Sequence, residues 1–168
     1  MADGRRVPAE RDSAAQTRRA DRGDTEPLVS LWLALIEHHR QLDPGYPSLP
    51  NLKETLRAEI RRGLASAHCE FQVGVAEGDL VGFVFAEIQQ GGGPPSGAAG
   101  AWIHEIYVAP EQRRRRLATQ LLDAVQPFFQ HHDAAQLRVR IESGNREGAA
   151  FWSQRGFHEQ ARILARAL

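Results

Sequence analysis

The sequence predicts a single α/β (α+β) domain, a sheet flanked by about four helices. Three observations carry this. Three segments place apolar residues at helical spacing: Leu28, Leu31 and Leu35; Leu52, Leu56 and Ile60; Leu117, Leu121, Val125 and Phe128. Between and after them lie short runs rich in Val, Ile, Phe and Tyr, bounded by Gly, Pro, Asn and Asp, which read as strands. No segment repeats, and 168 residues suffice for one full core.

Taken in order, residues 1–15 are charged, polar and without periodicity, and read as a disordered leader before a folded unit spanning 16–168. Gln16 to Arg19 forms a short first strand. Asp24 or Thr25 caps the first helix, with Pro27 in its first turn, and the helix ends near Arg40 before the turn Asp43-Pro44-Gly45-Tyr46-Pro47. The second helix runs from about Leu52 to Leu64, with Gly63 near its end. Cys69 to Ala76 and Leu80 to Gln90 are strands joined by a tight Glu77-Gly78-Asp79 turn. The Gly/Pro/Ala-rich stretch 91–100 is a loop. A strand over Trp102 to Val108 is stopped by Pro110, and a helix follows to about His131, in which Pro127 predicts a kink or an early end. Leu137 to Ile141 is a strand, Glu142-Ser143-Gly144-Asn145 a turn, Glu147 to Gln154 a short helix, and Phe157 to Ala165 a final strand.

Composition excludes several functions. The 21 basic and 21 acidic residues balance, so no global field draws the chain to nucleic acid or a membrane surface. No apolar run approaches the roughly 20 residues of a membrane span, and the charged N-terminus lacks the apolar stretch of a secretory signal. Cys69 is the single cysteine, which fits a reducing cytoplasm. His38-His39 and His131-His132 are neighbours in sequence and so do not face each other on a helix; no metal site is expected.

One stretch breaks a local rule. Arg113, Arg114, Arg115 and Arg116 stand where the third long helix begins. That end carries exposed N–H groups and a positive dipole, which disfavours each cation by about 0.3–1 kcal/mol. A bound polyanion such as a pyrophosphate would remove the conflict. The bland alternative is a solvated basic patch in a chain whose only lysine is Lys53.

The segment Val108-Ala109-Pro110, followed by Arg113-x-x-Arg116-x-Ala118, resembles the phosphate-binding segment of the GNAT superfamily of N-acetyltransferases. There, Val-x-Pro precedes Gln/Arg-x-x-Gly-x-Gly/Ala at the start of a helix. Arg116 replaces the middle glycine, and Arg114 stands where glycine is also common. A second match, Asn145-x-x-x-Ala149-x-Phe151-Trp152-x-x-x-Gly156-Phe157, lies at the expected separation. With the element order β-α-α-β-β-β-α-β-α-β, the resemblance covers about Gln16 to Ala165.

The resemblance implies a mixed, mostly antiparallel twisted sheet, splayed between its fourth and fifth strands. It implies acetyl-CoA as cofactor and an amine of a small molecule or peptide as acceptor, acetylated by direct attack in a ternary complex. Backbone groups of Ile106, Tyr107 and Val108 would pair with pantetheine. Amides from Arg113 through Arg114, Arg115, Arg116, Leu117 and Ala118 to Thr119 would hold the pyrophosphate. Asn145 would touch the pantetheine arm and Trp152 would wall the cofactor. Trp152 occupies the position of a family tyrosine that often protonates the leaving thiolate. Dimers are common in the family.

The residues themselves point to Glu105 as the base. An alkyl amine with a pKa of about 10.4 arrives charged and must lose a proton. A carboxylate on a central strand is seldom buried without a reason. On simple alternation Ile103, Glu105 and Tyr107 share one face of the strand, and Trp102, His104, Ile106 and Val108 share the other. A bulge would exchange which of Glu105 and the competing base His104 meets the cleft. Two rival readings remain: an acyl-CoA-binding domain without catalysis, and a nucleic-acid module built on the arginines, which the zero net charge disfavours.

Overall fold

The computed structural model describes residues 15–43, 45–47, 49–89 and 100–162. Among the described residues five strands, β1 (Gln16–Arg19), β2 (Cys69–Ala76), β3 (Asp79–Gln89), β4 (Gly100–Val108) and β5 (Gln136–Val139), form one sheet in sequence order. The first three pairings are antiparallel; β4 and β5 run parallel. Among the described residues four helices flank the sheet: α1 (Thr25–Leu42), α2 (Leu52–Ala65), α3 (Leu117–His131) and α4 (Arg146–Ser153). The glycine-rich loop 91–99 and the leader 1–14 lie outside the described residues.

Two apolar layers cover the sheet. On one face Leu28, Val29 and Trp32 of α1 and Ile60 of α2 pack on Phe71, Phe83 and Phe85. Phe71 and Phe85 stack with ring centroids 4.3 Å apart. On the other face Leu117, Leu121 and Val125 of α3 and Trp152 of α4 pack on Val84, Ala86 and Ile103. Burying a Leu, Ile or Phe side chain contributes about 1.5–3 kcal/mol, so these layers hold the sheet in place. The β2–β3 hairpin turns on Glu77 and Gly78, at φ 54° and 94°, the twist that matches right-handed strands.

Several expectations are corrected. α2 runs to Ala65, so Gly63 does lie near its end; a Cβ there would meet the Phe71 ring at 2.6 Å, so the glycine also admits a close helix–sheet approach. The Asp24 carboxylate makes no cap to α1. It accepts the Asp21 N–H at 2.8 Å and a two-point contact from Arg18 at 2.7 and 2.8 Å, tying β1 to the helix start. Arg18 holds that carboxyl below its usual range. Pro127 does not end α3 early, because the helix continues to His131. Pro127 and Asp123, whose carbonyl loses its partner, are both exposed, so water serves the freed group. β5 ends at Val139 rather than Ile141, where its pairing with β4 stops. Residues 157–162 form no strand. His158 to Arg162 are exposed, lack β-branched residues and pair with no described strand; the rest of the expected last strand lies outside the described residues.

Candidate functional site

The site begins where the sheet stops pairing. β4 and β5 are in register from Gly100↔Gln136 to Ile103↔Val139, and no further. Beyond Ile103, β4 keeps β3 on one side, while no described strand lines the other. This is the expected splay between the fourth and fifth strands. In the gap lies a cavity of about 60 Å³. Leu35 and His39 come to it from α1, His104, Glu105 and Ile106 from β4, residues 139–142 from the end of β5, and Asn145 and Trp152 from α4.

A bulge decides what faces this cavity. Phe85 pairs with Glu105 and Ala86 with Ile103, so His104 is an extra residue in β4. One inserted residue reverses the alternation behind it. Ile103 joins the α3 layer, while Tyr107 joins the α1/α2 layer. The grouping of Ile103 with Glu105 and Tyr107 is therefore corrected. His104 lies on the α1/α2 face with them, its ring stacked 5.1 Å from Phe85 at 27°. His104 and Glu105 thus stand side by side rather than on opposite faces.

Glu105 is enclosed by protein except where it opens to the cavity. Burial pushes its carboxyl up to about 7; Arg140 opposes, the charge of Glu142 adds, and a hydrogen bond from the Trp32 side chain opposes. His39 is depressed by burial, and its buried Nδ1 has no partner among the described residues. Its ring lies 5.2 Å from that of Tyr46, whose hydroxyl is pushed up by burial and then by the charges of Glu105 and Glu142. Sequence reasoning missed Glu142, Arg140 and His39. No local signal marked them, since the turn after β5 and the C-terminal part of α1 meet only in the fold.

The arginine loop is held in a strained form. Arg114 and Arg116 adopt φ 62° and 68°, the left-handed region that favours glycine. These are the two positions where the related pattern carries glycine, and each costs on the order of 1 kcal/mol for a side chain with a Cβ. Such left-handed turns gather successive N–H groups into an anion-binding concavity. Arg116 stands at the N-cap of α3 without a side-chain cap, and the first intrahelical bond in this turn is Gln120 N–H to Arg116 O at 3.1 Å. The amides of Leu117, Ala118 and Thr119 precede it and make no capping bond. Arg114, Arg115 and Arg116 are exposed around them.

Arg113 is turned differently. Its amide donates to Pro110 O at 3.2 Å, its Nε donates to Val108 O at 3.1 Å, and its guanidinium lies 6.0 Å from the Tyr107 ring centroid. It braces the end of β4. Arg155, which the sequence did not single out, donates to the Thr119 hydroxyl and to Phe151 O at 3.0 Å and sits 3.6 Å above the Phe151 ring. It links α4 to the first turn of α3.

Asn145 caps α4, its Oδ1 accepting the Gly148 N–H at 2.8 Å, and it also lines the cavity. Trp152 is buried, edge-on to Phe151 and Phe157 at 5.1 and 4.8 Å, and forms the cavity floor on the α3 side. Ile106 and Val108 are half-buried on that same side. Among the described residues no His/Cys/Asp/Glu cluster could hold a metal.

A phosphate-bearing thioester fits this arrangement: an uncapped helix start with left-handed residues before it, a strand edge with free backbone groups, and a cavity at its end. Known proteins agree with the fold. An aminoglycoside N-acetyltransferase solved with CoA is 24% identical, covering 96% of this chain and 98% of that one, with a TM-score of 0.71. A ribosomal-protein-alanine N-acetyltransferase from Brucella melitensis is 17% identical over 92% and 98%, at a TM-score of 0.67. An aminoglycoside 6'-N-acetyltransferase from Acinetobacter baumannii is 18% identical over 92% and 97%, at 0.71. Among curated proteins there is no match. The model of the acetyltransferase (GNAT) family matches residues 32–157, most of the chain, and this protein therefore belongs to that family of acetyl-CoA-dependent N-acetyltransferases.

Proposed function

We propose that this enzyme acetylates a small, positively charged amine, and that Glu105 removes the proton that makes the amine a nucleophile. The observation that carries this reading is the Glu105 carboxyl, raised to about 7 in the cavity at the end of the splay. An acid with that value is substantially ionised near neutrality and can still accept a proton, the balance a general base needs. Two carboxylates, Glu105 and Glu142, line the cavity against one guanidinium, that of Arg140, which lies 3.6 Å from Glu142. Two structural neighbours are aminoglycoside acetyltransferases, one of them in complex with sisomicin.

Acetyl-CoA supplies the acetyl group already activated as a thioester. The backbone of Ile106, Tyr107 and Val108 would hold its pantetheine arm, with Asn145 and Trp152 as walls. The amides from Arg114 to Thr119 would hold its pyrophosphate, with the exposed guanidinium groups adding charge. Arg113 would serve by bracing the strand end rather than through its amide. A backbone N–H at Tyr107 or Val108 would polarise the acetyl carbonyl, a role whose loss typically costs about 3 kcal/mol of barrier. Trp152 offers only an indole N–H, which does not give up its proton at neutral pH. The proton that ends on the departing sulfur must come from elsewhere. A reducing cytoplasm suits the buried free thiol of Cys69, and no described helix is long and apolar enough to cross a membrane.

The test is release of free thiol from acetyl-CoA with sisomicin, spermidine and an alanine-terminated peptide as acceptors. Release with the polyamines supports the reading, and release with the peptide alone redirects it to protein N-termini. Tight binding of acetyl-CoA without release from any acceptor would favour a non-catalytic acyl-CoA-binding domain.

A further inference from the structure

The bulge in β4 brings a second titratable group to the cavity, and a residue outside it controls that group. His104 Nε2 lies 2.8 Å from Glu87 Oε2 on β3. An ionised carboxylate only accepts, so this contact sets the ring with its proton on Nε2. Among the described residues the His104 ring makes no other hydrogen bond, which leaves Nδ1 as its free acceptor. The two side chains are 33% and 22% exposed, so the pair reaches from the cavity wall toward solvent.

Glu87 is itself held. Its Oε1 lies 3.6 Å from the Arg62 guanidinium and 3.8 Å from Cys69 Sγ. Arg62 in turn is gripped by Glu59 at 2.5 and 3.1 Å. Across the cavity stand His39, Arg140 and Glu142, with Glu105 next to His104 on the strand.

The proton balance requires such a group. A primary ammonium carries three protons, and the amide product keeps one. As the nitrogen lone pair forms the C–N bond, the C–S bond breaks with its electrons on sulfur. One of the two remaining protons ends on sulfur, and the other must reach solvent. Glu105 is enclosed and has to be emptied before each new turnover. We propose that the His104–Glu87 pair does this: His104 Nδ1 accepts the proton that Glu105 has collected, giving an imidazolium that the Glu87 carboxylate stabilises through Nε2–H, and the partly exposed ring then releases one proton to bulk water while keeping the one on Nε2. Glu87 is a positioning residue here, acting through His104. The inference rests on Glu105 being the base of an acetyl transfer.

The experiment compares wild type, His104→Gln, Glu87→Ala and the double variant, with acetyl-CoA and either spermidine or sisomicin, in dilute buffer and then with added imidazole. Each single variant should lose about tenfold in kcat, with the KM for acetyl-CoA unchanged. The double variant should lose no more than either single one, because the two residues act as a unit. Free imidazole should restore kcat toward wild type in His104→Gln, an effect that a purely structural role would not produce. In the free protein, nitrogen-15 NMR should show the His104 ring protonated on Nε2, and Glu87→Ala should mix the tautomers. Additive losses, a loss that imidazole leaves untouched, or a ring protonated on Nδ1 would overturn the relay while leaving Glu105 as base. A wild type that releases no thiol would instead sink the acetyl-transfer reading beneath it.

Discussion

The two halves of β4 carry opposite designs in one strand. From Gly100 to Ile103 the backbone is paired on both edges, and Ala101 and Ile103 are fully buried. From His104 to Val108 one edge loses its neighbour, a bulge reverses the alternation, and two titratable side chains come to a cavity. The first half gains stability from packing. The second gives up pairing on one edge and leaves backbone groups for another molecule. The site in this protein is thus an interruption of a sheet rather than an addition to it.

That contrast can be broken most severely at Glu105. Glu105→Gln should lower kcat/KM roughly 10²- to 10⁴-fold at neutral pH. The base works when deprotonated, so the wild-type rate should climb as pH rises through about 7. The variant's profile should lack that climb, and an equal loss at every pH would count against Glu105 as base. Stability gives a second reading. Because the folded-state value lies above the ordinary one near 4.5, folding is favoured most below about 4.5, and stability declines as pH rises to about 7. The full displacement corresponds to about 3 kcal/mol as an upper bound. Urea denaturation of Glu105→Gln should show a flatter pH dependence.

The paired half should respond in the other currency. Ile103→Ala leaves a cavity under α3 and should cost about 2–5 kcal/mol of stability. The folded fraction should bind acetyl-CoA as tightly as wild type by calorimetry. A large loss of affinity in a still-folded variant would mean that the two halves are not separable.

Smaller effects sharpen the boundary. Asn145→Ala removes the α4 cap and should cost about 1 kcal/mol. If its amide also meets the cofactor, KM for acetyl-CoA should rise as well; a stability loss with KM unmoved would leave it a cap alone. Arg116→Gly relieves a left-handed residue and should stabilise the fold by up to about 1 kcal/mol, part of it offset by the freer unfolded chain. Its affinity for acetyl-CoA should fall modestly and depend less on salt, since one guanidinium is gone. Unchanged affinity would assign phosphate binding to the amides alone.

Much of this was legible beforehand for local reasons. The Glu77-Gly78 turn, the start of α3 at Leu117 and the strand over 102–108 depend on residues next to one another, and the structure has them as read. Arg114 and Arg116 were flagged because arginine stood where glycine is usual, and both are left-handed. The misses were non-local. The close approach of Gly63 to Phe71 went unread, and Pro127 is tolerated because its helix face is exposed. His39, Glu87 and Glu142 carried no signal, since their partners come from distant elements.

Sequence alone determined the order of elements from β1 to α4 and the arginine-rich turn ahead of a helix, because periodicity and turn chemistry act between near neighbours. Tertiary structure decided that His104 and Glu105 share a face, since a bulge exists only relative to a partner strand. It also decided that burial pushes the Glu105 carboxyl up to about 7, against Arg140 and with Glu142 adding, because these act on it only once α1, β4 and the turn after β5 have closed around it.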